Sequence, residues 1–120
     1  MEFQIVAMDT WKRKEYFQHY FTQVPCTYSM TVKLDITGLI ARKRKLYPTL
    51  LYAAATVVNR HEEFRTAVDA HGRVGVFSEM MPCYTIFHKD TEEFSNVWTE
   101  YSPDYEIFCS RYRDDMAHYG

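Results

Sequence analysis

This chain has little of what builds phosphate loops, disulfide frameworks or membrane spans. It contains four glycines in 120 residues, and no G-x-G-x-x-G occurs, which excludes a glycine-rich cradle for a nucleotide phosphate. Its three cysteines, Cys26, Cys83 and Cys109, are an odd number without C-x-x-C spacing. That argues against a disulfide framework and against a zinc site, so no metal is expected. They read instead as buried reduced thiols of a cytoplasmic protein. No positive charge precedes an apolar stretch at the N-terminus, so no secretory signal is expected. No run approaches the roughly 18 apolar residues of a membrane span. The formal net charge is -2, too small a field of either sign to draw in nucleic acid or an anionic membrane.

Aromatic residues are plentiful: ten Tyr and eight Phe help bring FWY to 17%. Such side chains suit an apolar pocket or a buried interface, because each hides a large area and Tyr keeps a polar tip. A Tyr-rich core satisfies the composition equally well. The basic runs Lys12-Arg13-Lys14 and Arg42-Lys43-Arg44-Lys45 read as solvated helix faces, since the overall charge opposes phosphate binding. There are no repeats, low-complexity segments or linkers. One domain or subdomain, spanning 1–120, is expected.

Along the chain, residues 3 to 7 suit a short strand, and Asp9 or Thr10 can cap a following helix. Tyr16, Phe17, Tyr20, Phe21 and Val24 recur at helical spacing, and Pro25 ends that helix. From Cys26 to Ile36 the alternation is complete. Cys26, Tyr28, Met30, Val32, Leu34 and Ile36 face one way, and Thr27, Ser29, Thr31, Lys33 and Asp35 the other. This pattern predicts a strand with one buried face. Thr37 can start a short helix to about Lys45, and Pro48 suits the first turn of the next. That helix is apolar nearly all round from Leu50 to Val58, which predicts burial against a sheet. Residues 66–68 and 73–77 flank the turn-forming Asp69-Ala70-His71-Gly72, predicting a hairpin. A strand over Tyr84–His88 and a helix from Ser102-Pro103-Asp104 to the end complete the pattern. The expected class is α+β, a layered α/β sandwich with a mixed sheet and helices on one side.

A search for a catalytic unit from residue types alone is nearly empty. None of His19, His61, His71, His88 and His118 has an Asp four residues later, and they do not cluster at metal-ligand spacing. His61, His71 and His118 read as surface residues, His88 as a strand end, and His19 as the rim of a pocket. His88 has Glu92 four residues on, across an apparent turn at Asp90-Thr91. Cys26 opens an apolar strand face and reads as a packed thiol rather than a nucleophile.

A set of ordered motifs says more. Trp11-Lys12-Arg13-Lys14-Glu15-Tyr16-Phe17 is followed by Pro25-Cys26-Thr27-Tyr28-Ser29, Lys45-Leu46-Tyr47-Pro48 and Glu63-Phe64-Arg65. Then come Tyr84-Thr85-Ile86-Phe87-His88 and Thr91-Glu92-Glu93-Phe94-Ser95. Across essentially all 120 residues this order resembles the N-terminal part of the chloramphenicol acetyltransferases. The family signature His-His-x-x-x-Asp-Gly does not occur in the chain. The resemblance implies chloramphenicol as acceptor, acetyl-CoA as co-substrate, antibiotic resistance as the role of the whole enzyme, and a homotrimer with each active site between subunits. It implies that His19, Tyr20, Val24, Cys26, Tyr28, Thr85 and Phe94 line the acceptor pocket, an aromatic wall with a few hydroxyls. The alternative for Cys26, Tyr28 and Phe94 is that they are simply core. Arg13 matches an arginine that steadies the catalytic loop by pairing with the signature aspartate. It would lack that partner here; from the residues alone it is equally an exposed helix cation. No catalytic residue is expected within these residues, because the general-base histidine and the oxyanion-stabilising serine fall in the missing segment. An acyltransferase that needs that segment, a decayed non-enzymatic product, and a partner-binding half of a split enzyme therefore all stay open.

Overall fold

Two helices packed on a β-hairpin hold most of the interior. The computed structural model describes residues 1–120. β1 (Phe3–Ile5), β2 (Thr66–Val68) and β3 (Val74–Phe77) form one antiparallel sheet in the order β1-β3-β2. β4 (Cys83–His88) and β5 (Glu93–Trp98) form a second antiparallel pair. The helices are α1 (Lys14–Gln18), α2 (Thr37–Ala41), α3 (Leu46–Arg60) and α4 (Tyr105–Tyr119). The α+β class expected from the sequence is present, but the strands divide into two antiparallel sheets rather than one mixed sheet.

Local chemistry explains the elements. Around the β2–β3 turn, Asp69 Oδ1 accepts from the backbone N–H groups of His71 (2.9 Å) and Arg73 (2.8 Å), and Oδ2 accepts from Arg73 Nε at 2.8 Å. The Arg73 backbone N–H is the main reason the Asp69 carboxyl lies below its ordinary range. Gly72 takes φ 76°, the left-handed region that glycine enters without strain. Gly75 leaves space for the Phe3 ring, which a Cβ there would strike. At α4 the expected start holds: Asp104 Oδ1 accepts from the Ile107 N–H at 3.1 Å, capping the first turn. Pro48 sits in the first turn of α3, where a missing N–H costs nothing.

The interior is small. Phe108 and Thr99 are fully buried, and Val97, Tyr84, Ala55 and Cys109 nearly so. Along the inner face of the β4–β5 pair, Tyr84 stands opposite Val97 and Ile86 opposite Ser95. Tyr84 shares a 2.8 Å hydrogen bond with Thr99 Oγ1, which satisfies two buried hydroxyls at once. The Tyr47 ring meets Tyr84 edge-on at 5.8 Å, and Tyr112 lies 5.5 Å from Tyr84. Tyr52 contacts Phe108 at 5.8 Å and donates to the Pro103 carbonyl at 2.6 Å. Many of the tyrosines therefore serve a wet-tipped core, the second of the two readings their number allowed.

Two expectations are corrected. α3 is not buried all round: Pro48 and Ala55, seven residues apart, are buried, while Leu50 and Val57 are exposed. The segment 26–36 carries no strand at all. Residues 27–35 make no backbone–backbone hydrogen bond, and Tyr28, Met30, Val32 and Leu34 are exposed. Alternation records which side chains share a face, but a strand also needs a neighbouring ladder, and nothing in these 120 residues supplies one. β5 was not anticipated, because Glu-Phe-Ser-Asn-Val-Trp mixes polar and apolar residues on both faces.

Replacing Phe108 by Ala is expected to destabilise the chain by about 3–5 kcal/mol, a large share of any small domain's stability, as measured by urea unfolding. A second expectation concerns alkali. Burial raises the phenols of Tyr84, Tyr105 and Tyr112 above their usual 10.0. From about pH 10 the unfolded chain releases these protons while the folded chain keeps them, so stability falls as pH rises. Unfolding free energies measured between pH 8 and 11 should decline beyond pH 10, and less steeply in Tyr112→Phe.

Candidate functional site

Arg13 precedes α1, and its guanidinium is not left alone. It pairs with Glu63 Oε1 at 2.5 Å, with both side chains 46% exposed. Arg13 was expected to lack the signature aspartate; the carboxylate it meets within these residues is Glu63, from the Glu63-Phe64-Arg65 motif. Glu63 lies below its ordinary range, chiefly through its own backbone N–H and also through the Arg13 charge. Water screens so exposed a pair, which contributes little to stability. The pair edges a cavity of about 250 Å³ lined by Trp11, Tyr16, Phe17, Glu62, Thr66 and Val76 as well.

The residues expected to line an acceptor pocket fall into two groups. α1 runs into a π-helical turn, His19–Gln23, that carries His19 and Tyr20, whose rings meet edge-on at 4.7 Å. Val24, Cys26 and Tyr28 follow, all exposed, Tyr28 at 84%. The second group lies on the outer face of the β4–β5 pair, where Cys83 stands opposite Trp98, Thr85 opposite Asn96 and Phe87 opposite Phe94. This face is open: Phe87, Phe94 and Trp98 are each more than 60% exposed. The Thr85 carbonyl accepts from Tyr47 Oη at 3.1 Å, which ties the strand to α3. No hydrogen bond or ring pair joins the two groups.

The larger cavity, about 710 Å³, lies elsewhere. It is edged by Trp98, Arg111 and Tyr119 and by the carboxylates of Glu79, Glu100, Asp114 and Asp115. Four carboxylates around one guanidinium make it unsuited to a polyphosphate. Arg111 is already committed to the carbonyl of Tyr101 at 3.0 Å.

His88 finds a partner that its sequence neighbours did not suggest. Its Nε2 lies 2.8 Å from Ser95 Oγ on the adjacent strand, while Glu92 sits in the turn at φ 58°. Residues seven apart meet here because the hairpin register pairs 88 with 93 and 86 with 95. No third group orients the imidazole, so the pair closes the hairpin end rather than forming a nucleophile–base unit. No helix is long and apolar enough to cross a membrane.

The family model described as "CAT: Chloramphenicol acetyltransferase" matches residues 1–120. A protein named chloramphenicol acetyltransferase from Vibrio anguillarum is 69% identical over 120 residues, covering 100% of this chain and 56% of the relative. One of the same name from Campylobacter coli is 59% identical, covering 100% of this chain and 58% of the relative. A solved chloramphenicol acetyltransferase superposes with a TM-score of 0.86 at 24% identity, covering 99% of this chain and 57% of that one. The chain belongs to the chloramphenicol acetyltransferase family, and its fold is the corresponding part of that α+β fold. It spans a little over half the length of the relatives it matches.

The open geometry predicts thiol behaviour. The expectation of three buried thiols is corrected: Cys109 is buried, but Cys26 and Cys83 are exposed, Cys26 because no ladder or layer covers its segment. An aromatic disulfide reagent should label two thiols in the native chain and the third only on unfolding. Protection of Cys26 would mean that the 24–28 stretch is covered.

Proposed function

We propose that the whole protein is a chloramphenicol O-acetyltransferase acting in the cytoplasm, and that this chain supplies its acceptor side. The observation that carries the reading is the match along all 120 residues to the family, with 69% identity to a relative of that name. In this mechanism a histidine of the His-His-x-x-x-Asp-Gly segment takes the proton from a chloramphenicol hydroxyl. The hydroxyl oxygen attacks the acetyl-CoA thioester, and coenzyme A leaves as its thiol. A serine outside these residues stabilises the oxyanion.

The residues of this chain have binding roles. Tyr20, Tyr28 and Phe94 supply aromatic wall, Val24 and Cys26 apolar surface, Thr85 a hydroxyl, and His19 the rim. Arg13 supports the catalytic loop, and its exposed pairing with Glu63 leaves it free to exchange carboxylates. The active sites lie between subunits of a trimer. A second reading is a non-enzymatic product of the same family.

Acetyl transfer to chloramphenicol, scored by released thiol, separates the readings. The 120-residue chain alone is expected to give no turnover above background. Together with the portion of a relative that it does not cover, it should turn over. In that active form Tyr28→Ala and Phe94→Ala should each raise KM for chloramphenicol about tenfold or more, with kcat little changed, because each removes uniform binding. No turnover in either form would favour the non-enzymatic product.

A further inference from the structure

Tyr47 stands in the first turn of α3 and reaches the backbone of Thr85. Its ring is held from two sides, edge-on to Tyr84 at 5.8 Å and to Tyr112 of α4 at 6.5 Å. Its hydroxyl donates to the Thr85 carbonyl at 3.1 Å. Tyr47 is 42% exposed, so filling the interior is not what calls for this residue. A Phe would cover the same rings. The hydroxyl is what distinguishes Tyr47, and its one partner is that carbonyl.

The hairpin register explains why the carbonyl is available. The Thr99 N–H donates to the Pro82 carbonyl at 3.2 Å, so 82 and 99 form a hydrogen-bonded pair. Such pairs alternate with unbonded ones along an antiparallel ladder. The pairs 84–97 and 86–95 are therefore bonded, and 83–98, 85–96 and 87–94 are not. The Thr85 carbonyl points away from β5, toward the free edge of β4. No other hydrogen bond runs from a helix to the backbone of β4 or β5. A two-stranded hairpin is marginal by itself, so a tie of this kind helps decide how it lies on the helices.

Thr85 turns its side chain to the outer face, beside Asn96 of the neighbouring strand. A β-branched residue has few choices of χ1, so the direction of its hydroxyl follows its backbone. A donor that holds the Thr85 carbonyl thereby holds the Thr85 hydroxyl as well.

We propose that Tyr47 is a positioning residue for acceptor binding, acting through Thr85 to aim its hydroxyl at the polar groups of chloramphenicol. This inference rests on the acceptor role given to Thr85 in the proposed function. Tyr47 exerts its effect without touching the acceptor.

A double-mutant cycle tests it, in this chain joined in frame to the portion of the Vibrio anguillarum relative that it does not cover. The Kd for chloramphenicol is read by calorimetry, independently of turnover. Tyr47→Phe should raise it about fivefold and Thr85→Val about tenfold, the scale of one hydrogen bond each. The double variant should stay near tenfold rather than reach the roughly fiftyfold of independent effects. Thr85→Ser, which keeps the hydroxyl, should recover most of the affinity. In turnover, Tyr47→Phe should raise KM for chloramphenicol and leave kcat and KM for acetyl-CoA within about twofold. The inference is overturned if Tyr47→Phe lowers stability but leaves Kd unchanged, if the two effects multiply, or if the loss falls on kcat or on acetyl-CoA. Multiplying effects with turnover intact would remove this inference alone. Binding without turnover would remove the proposed activity, and the cycle would still decide the role of Tyr47. A joined protein that binds no chloramphenicol would remove both.

Discussion

Phe108 is the point on which the interior depends. It lies where α3, α4 and β5 approach one another, and its ring is fully buried against Tyr52 and its neighbours. Around it stand Tyr47, Tyr52, Tyr84, Tyr101 and Tyr105, each with its hydroxyl on a carbonyl or another hydroxyl. Tyr84 with Thr99, Tyr101 with Thr56, and Thr49 with Tyr105 are such pairs. Buried hydroxyls demand partners, so this network fixes how α3 and α4 sit on the hairpin. The three-stranded sheet is tied in separately. Asn59 at the end of α3 holds both the N–H and the carbonyl of Met80, and Arg65 donates to the Phe77 and Ser78 carbonyls. The two halves of the chain are therefore joined by polar clamps rather than by one continuous apolar core.

That division explains which parts of the fold the sequence made legible. Elements stabilised by neighbours in sequence could be read directly. The Asp69 turn, the Asp104 cap and the Pro48 first turn are each specified by a few adjacent residues. Elements that depend on distant partners were read less well. β5 owes its existence to its register with β4, and its inner residues Ser95 and Val97 do not form an alternation that stands out. The pairing of His88 with Ser95 follows from the same register and no local motif predicts it. The pairing of Arg13 with Glu63, 50 positions away, likewise has no local signal.

The strand 26–36 failed for a different reason, and it bears on the site. Its alternating pattern is the clearest in the chain, yet the physical condition that turns such a pattern into a strand is a ladder on at least one edge. Cys26 and Tyr28 lie on its apolar face, whereas Thr85 and Phe94 lie on the outer face of the hairpin. The open face of the hairpin and the unpaired segment 27–35 go together. No hydrogen bond or ring pair within these residues joins the two groups, so no side chain at Tyr28 or Phe94 by itself defines a pocket. Because residues 27–35 carry no ladder, nothing in their backbone bonding fixes where Tyr28 points relative to Thr85 and Phe94. On the proposed function, the placement of that backbone governs acceptor selectivity before the individual wall residues do.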